Sequence, residues 1–89
     1  MSWKIEIKPG AEKQYLKLDI KTRKKIKESL LDLEEQNNPF IYKNVRPLTG
    51  ELKGDYRLRV GMWRILFTSV NKQSEILFVY AILPRSDAY

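Results

Sequence analysis

Three arginines in the second half of the chain, Arg57, Arg59 and Arg64, have the spacing needed for anion chemistry. Arg57 and Arg59 alternate with apolar residues in Asp55-Tyr56-Arg57-Leu58-Arg59-Val60. Arg64 interrupts an apolar alternation in Trp63-Arg64-Ile65-Leu66-Phe67-Thr68. Residues two apart on a strand share a face. Gly61-Met62 between the two runs suits a two-residue hairpin turn with glycine first, the type II′ arrangement. That turn sets Val60 opposite Trp63, Leu58 opposite Ile65 and Tyr56 opposite Phe67, all on one apolar face. It sets Arg59 opposite Arg64, with Arg57 one step along opposite Leu66, on the other face. A one-residue slip would drive the arginines against the core, so the apolar pattern fixes the register.

Like charges directly opposite each other destabilise a sheet. A bound anion offsets that cost. Planar guanidinium groups on a rigid sheet can grip phosphate with two hydrogen bonds each. The alternative is that acidic groups neutralise the face: Asp55, Asp87 or a partner protein. The tail Pro84-Arg85-Ser86-Asp87-Ala88-Tyr89 can fold back over the same face. Tyr89 could stack on a base or move a proton. A terminal residue is also a common place for disorder.

The composition narrows the chemistry. Among 89 residues there is no cysteine and no histidine. Disulfides, thiolate metal sites and triads built on histidine are therefore excluded. Catalysis must come from Lys, Arg, Tyr, Asp, Glu or Ser, and no metal or cofactor is implied. The net charge of +6 fits nucleic acid, an anionic membrane or an acidic protein partner. The first residues alternate and carry charge, unlike a signal peptide. The run Ile76 to Leu83 is far short of the roughly 20 apolar residues that span a bilayer. A cytoplasmic location without membrane contact is expected.

The elements that must carry the arginines can be read in order. Trp3, Ile5 and Ile7 alternate with Lys4, Glu6 and Lys8, as in a strand. Pro9 suits the first position of a helix reaching to about Leu18, with Ala11, Tyr15 and Leu18 on one side. Asp19 can cap a second helix that buries Ile26, Leu30 and Leu33 and ends at Asn37-Asn38-Pro39. The stretch from Phe40 to Gly54 is irregular. Two alternating strands and an apolar one, Ile76 to Ile82, follow; the last is expected to be covered on both faces. The order β-α-α-β-β-β predicts one domain over 1–89: an α+β fold, with a helical hairpin on one face of a small, mainly antiparallel sheet. The basic run Lys21 to Lys27, with Lys24 and Lys25, reads first as a solvated helix face. Contact with nucleic-acid phosphates would also use such a face.

The turn Leu48-Thr49-Gly50, then Tyr56-Arg57-Leu58-Arg59-Val60-Gly61, Trp63-Arg64-Ile65-Leu66-Phe67 and Arg85-Ser86-Asp87-Ala88-Tyr89, resembles the RelE/ParE toxin pattern over nearly the whole chain. The resemblance implies the toxin of a type II toxin–antitoxin pair. RelE-like members cut mRNA in the ribosomal A site and are wrapped by an antitoxin in a hetero-oligomer. ParE-like members share the fold and inhibit DNA gyrase. Carried over by position, the catalytic set is Arg57, Arg59, Arg64, Arg85 and Tyr89. Lys24 and Lys25 of the basic helix run, with Lys53, are the expected RNA contacts. Some relatives hold histidine where Pro84 stands here, which removes a proton carrier. The expected reaction is metal-independent attack of an mRNA 2′-hydroxyl on its own phosphate, with Tyr89 or Lys53 as base. The alternatives are a gyrase-binding toxin and an inactive homologue that acts as a protein-binding module.

Overall fold

The computed structural model describes residues 3–69 and 72–87. Strand β1 (Lys4–Ile7) leads into helix α1 (Pro9–Leu16), with Pro9 opening it, and helix α2 (Ile20–Glu34). Asp19 caps α2: its carboxylate accepts from the Thr22 backbone N–H at 3.3 Å and from the Thr22 hydroxyl. Those bonds hold the Asp19 carboxyl below its usual pKa. On α2, Ile26, Leu30 and Leu33 are buried while Lys24, Lys25 and Glu28 face solvent, as the helical spacing requires.

Four further strands follow: β2 (Val45–Pro47), β3 (Tyr56–Val60), β4 (Trp63–Thr68) and β5 (Ile76–Pro84). The sheet order is β1-β5-β4-β3-β2. Only β1 and β5 are parallel; the other neighbours are antiparallel. The architecture is the expected α+β one, two helices on one face of a mostly antiparallel sheet. The stretch from Phe40 to Gly54 is more ordered than its sequence suggests. It holds two 3₁₀ turns, Pro39–Ile41 and Gly50–Leu52, and between them the edge strand β2. Pro47 is tolerated there because an edge strand does not need every N–H.

The β3–β4 hairpin has the predicted register: Val60 opposite Trp63, Leu58 opposite Ile65, Tyr56 opposite Phe67, Arg59 opposite Arg64 and Arg57 opposite Leu66. Gly61 has φ +58°, and Met62 is not among the left-handed residues, as a type II′ turn requires. Beneath the helices lie Leu58, Ile65, Phe67, Leu77, Val79 and Ile82, with Trp3, Ile26, Leu30 and Leu33 from above. Each fully buried aliphatic or aromatic side chain contributes about 1.5–3 kcal/mol. A ladder of aromatic rings, Trp3–Phe40–Tyr56–Phe67, ties the 3₁₀ turn and β3 to this core, with centroid separations of 5.3, 4.8 and 5.9 Å.

Strand β5 departs from expectation. It is interior in the sheet, but only its Leu77, Val79 and Ile82 face is buried; Phe78, Tyr80, Ala81 and Leu83 are half-exposed. Among the described residues no layer covers that second face. The apolar run arises instead from a bulge. Leu66 pairs with Ala81 and Phe67 with Val79, so Tyr80 is an extra residue on β5. The inserted tyrosine hides the alternation that would have marked a one-sided strand. Its hydroxyl donates to Asp55 Oδ2 at 2.8 Å. This bond links β5 to the start of β3 across β4, over the outer face near Leu66.

Candidate functional site

The outer face of the sheet carries the arginines. Its position follows from the core: once Leu58, Ile65 and Phe67 point to the helices, Arg57, Arg59 and Arg64 must point away. Arg59 is exposed, Arg57 half-buried, and Arg64 only 8% exposed. Arg64 therefore forms the floor of the site. Its Nη1 donates to the Gly61 carbonyl at 2.9 Å and to the Trp63 carbonyl at 3.0 Å. Burial lowers its pKa from the ordinary arginine value, and the nearby charges of Arg57, Arg85 and Arg59 add to that. The guanidinium stays charged at neutral pH, so the cluster is an electrostatic debt held on the surface of the sheet.

Arg85 joins from the tail. It opens the 3₁₀ turn Arg85–Asp87 that follows β5, and its backbone N–H donates to the Met62 carbonyl at 2.8 Å. That bond fixes the turn against the hairpin tip. Beside it, Met62, Trp63, Pro84, Arg85 and Ser86 line an open groove of about 370 Å³. Aromatic and apolar walls beside a guanidinium suit a stacked base. Tyr89 lies outside the described residues.

Among the described residues, no carboxylate forms an ion pair with Arg57, Arg59, Arg64 or Arg85. Asp55 immediately precedes β3, two residues before Arg57, and its carboxylate accepts from the Tyr80 hydroxyl. The side chain of Asp87 lies outside the description. What remains is a set of mutually repelling donors, two of them, Arg59 and Arg64, held by side-chain hydrogen bonds, and such a set suits an anion.

The lysines named from sequence are dispersed. Lys25 lines a groove with Thr22, Val60, Gly61, Met62 and Trp63, on the helix side of the hairpin tip. Lys24 is exposed on α2, and no described contact brings it to the arginines. Lys53 is exposed after the Gly50–Leu52 turn, and no described contact joins it to the arginines. Among the described residues no group of three or more acids is placed to hold a metal ion. No described helix is long and apolar enough to cross a membrane.

Residues 5–89 match the family model of the ParE toxin of type II toxin–antitoxin systems, parDE. The chain belongs to this family. It is thus a type II toxin of the RelE/ParE superfamily. Solved structures agree with the fold. A chain of the archaeal RelE–RelB complex from Pyrococcus horikoshii OT3 is 25% identical, with TM-score 0.77, over 99% of this chain and 100% of that one. The isolated E. coli RelE toxin is 20% identical, with TM-score 0.72, over 98% and 88%. A YoeB/ParE toxin from Agrobacterium tumefaciens is 18% identical, with TM-score 0.72, over 91% and 96%. No curated protein matches the chain.

Sequence reading missed two residues of this ParE-family toxin's basic face. Arg46 on β2 stands directly opposite Arg57. Asn44 accepts from both the backbone and the guanidinium of Arg59. A three-residue strand is too short to show alternation. The available signal was Val45-Arg46-Pro47, an apolar–basic pair beside a proline that an edge strand tolerates.

Proposed function

We propose that this toxin is a ribosome-dependent endoribonuclease that cuts mRNA and so inhibits translation. One observation carries the reading: Arg59 faces Arg64 across the hairpin, with Arg57 and Arg85 nearby and no described carboxylate to neutralise them. In the proposed reaction the 2′-oxygen of one nucleotide attacks the adjacent phosphorus. The P–O5′ bond breaks, leaving a 2′,3′-cyclic phosphate and a 5′-hydroxyl. The proton leaves the 2′-hydroxyl and one arrives at O5′. Arg64 and Arg59 hold the phosphate oxygens as negative charge grows on them. Such preorganised donors contribute about 3–4 kcal/mol each in other enzymes. Arg57 and Arg85 position the backbone. Tyr89 stacks on a base or carries the proton, with Lys53 the other candidate base. Arginine cannot serve, because its delocalised guanidinium does not give up its proton in proteins. The chemistry depends on the ribosome to orient the mRNA. Lys24 and Lys25 add contacts to ribosomal RNA phosphate.

The toxin acts in the cytoplasm and needs no cofactor. Its partner at rest is a cognate antitoxin, as the RelE–RelB complexes of its structural relatives suggest. A second reading has its own support: the matching family model is that of ParE. On that reading the same basic face binds DNA gyrase and no RNA is cut. Primer extension on a defined mRNA in a reconstituted translation reaction separates them. Codon-phased cuts that need both toxin and ribosome support the nuclease. Intact mRNA at toxin levels that stop growth would sink it and lead to a supercoiling assay.

A further inference from the structure

The basic face continues past the catalytic set onto the edge strand. Arg46 stands opposite Arg57 in the β2–β3 ladder, as Arg59 stands opposite Arg64 in the next. Two like-charge pairs are thus built into adjacent ladders, each at a cost to the sheet. Among the described residues no carboxylate forms an ion pair with Arg46 either.

Arg46, Arg57 and Arg59 converge with Asn44 on a cleft of about 90 Å³. Asn44 holds its shape. Its φ of +70° is left-handed, a conformation asparagine tolerates better than most residues. From there its carbonyl accepts the Arg59 N–H at 2.9 Å, and its Oδ1 accepts from Arg59 Nη2 at 3.0 Å. One edge of the Arg59 fork is thereby fixed. Arg46 is steadied by a bond from Nη1 to the Val45 carbonyl at 2.9 Å.

We propose that this cleft is a second phosphate subsite, which holds a phosphodiester of a single-stranded nucleic acid beside the one at Arg64. Its small volume suits a single compact anion. Three guanidinium groups from two strands line the cleft, and more than one fork can be used by the tetrahedrally arranged oxygens of a phosphate. A carboxylate presents both oxygens in one plane and is satisfied by one fork. Strands β2 and β4 are two strand spacings apart, about 9.5 Å, a reach that one extended backbone can cover. That the ligand is the strand being cut rests on the nuclease reading; the subsite itself does not.

Fluorescence anisotropy with a short 2′-O-methyl RNA tests it, because that RNA cannot be cut through its own 2′-oxygen. Arg46→Thr should weaken binding about tenfold at low salt and flatten the slope of log K against log salt by about 0.7. Asn44→Gly keeps the left-handed backbone and removes the carboxamide. It should cause a smaller loss with the slope unchanged, since no charge is removed. Lys13→Gln on exposed α1 should alter neither. Arg46→Thr should melt no lower than the parent protein, because a like-charge pair is gone. Unchanged RNA affinity and slope in Arg46→Thr overturns the proposal. So does a loss confined to an oligoglutamate peptide, which would assign the cleft to an acidic protein. Arg46-dependent RNA binding by a toxin that never cuts mRNA upholds the subsite and removes the nuclease reading.

Discussion

The two faces of one sheet obey opposite rules. Toward the helices, Leu58, Ile65, Phe67, Leu77, Val79 and Ile82 bury apolar surface, and nearly every contact stabilises the fold. Away from them, Arg46 faces Arg57 and Arg59 faces Arg64, so the ladder neighbours repel. Both faces come from the same strands, residue by alternate residue. The helix-covered face supplies the rigidity, and the open face uses it to hold charges where they would not choose to sit. Stability and activity should therefore separate cleanly by face.

The largest expected effect is on the covered face. Phe67→Ala empties a fully buried position and should cost about 3–5 kcal/mol in urea unfolding, a large share of the total for a domain of this size. A loss below about 1 kcal/mol would break the division between faces. Next, under the proposed nuclease function, Arg64→Met should lower mRNA cleavage about a hundredfold or more while leaving the melting temperature equal or higher. The direction follows from charge. Burial and neighbouring arginines depress the Arg64 pKa, so its charged form costs the fold energy that Met does not. Destabilisation with toxicity retained would make the open face structural. Gly61→Ala should destabilise by about 1 kcal/mol, since φ +58° suits glycine, and should loosen the register of both faces together. The smallest effect is on acid titration. The Asp19 carboxyl has a lowered pKa in the fold, so below about pH 4 the unfolded chain takes up protons that the folded one does not. Stability present above that pH is lost as the pH falls through the folded value. Asp19→Asn should remove this small component, measured by thermal melts across acid pH.

Much of this division was legible in the sequence. The strict alternation around Gly61-Met62 determined the hairpin register, because only one pairing keeps Leu58, Ile65 and Phe67 together. Asp19 was visible as a cap through its short side chain ahead of a helical apolar pattern. Strand β2 was hidden by its length, and Arg46 and Asn44 were hidden with it. The one-sided burial of β5 was masked by Tyr80, an extra residue whose bulge breaks the period and leaves an apolar run. The neutralising role considered for Asp55 could not be decided from sequence, since its partner Tyr80 lies 25 residues away.

The parallel pairing of β1 with β5 links the order of synthesis to the order of assembly. Lys4 registers with Ile76, and among the described residues β1 has no other neighbour in the sheet. The hairpin of β3 and β4 can form by itself as soon as it is made, but β1 must wait for the strand that follows it. Contacts so distant in sequence form late, because their loop-closure entropy must be met first. Arg85 enters at the end of that same last strand. Until β5 has been made, a chain still being translated therefore lacks both the partner that seats β1 and the arginine that completes the basic face.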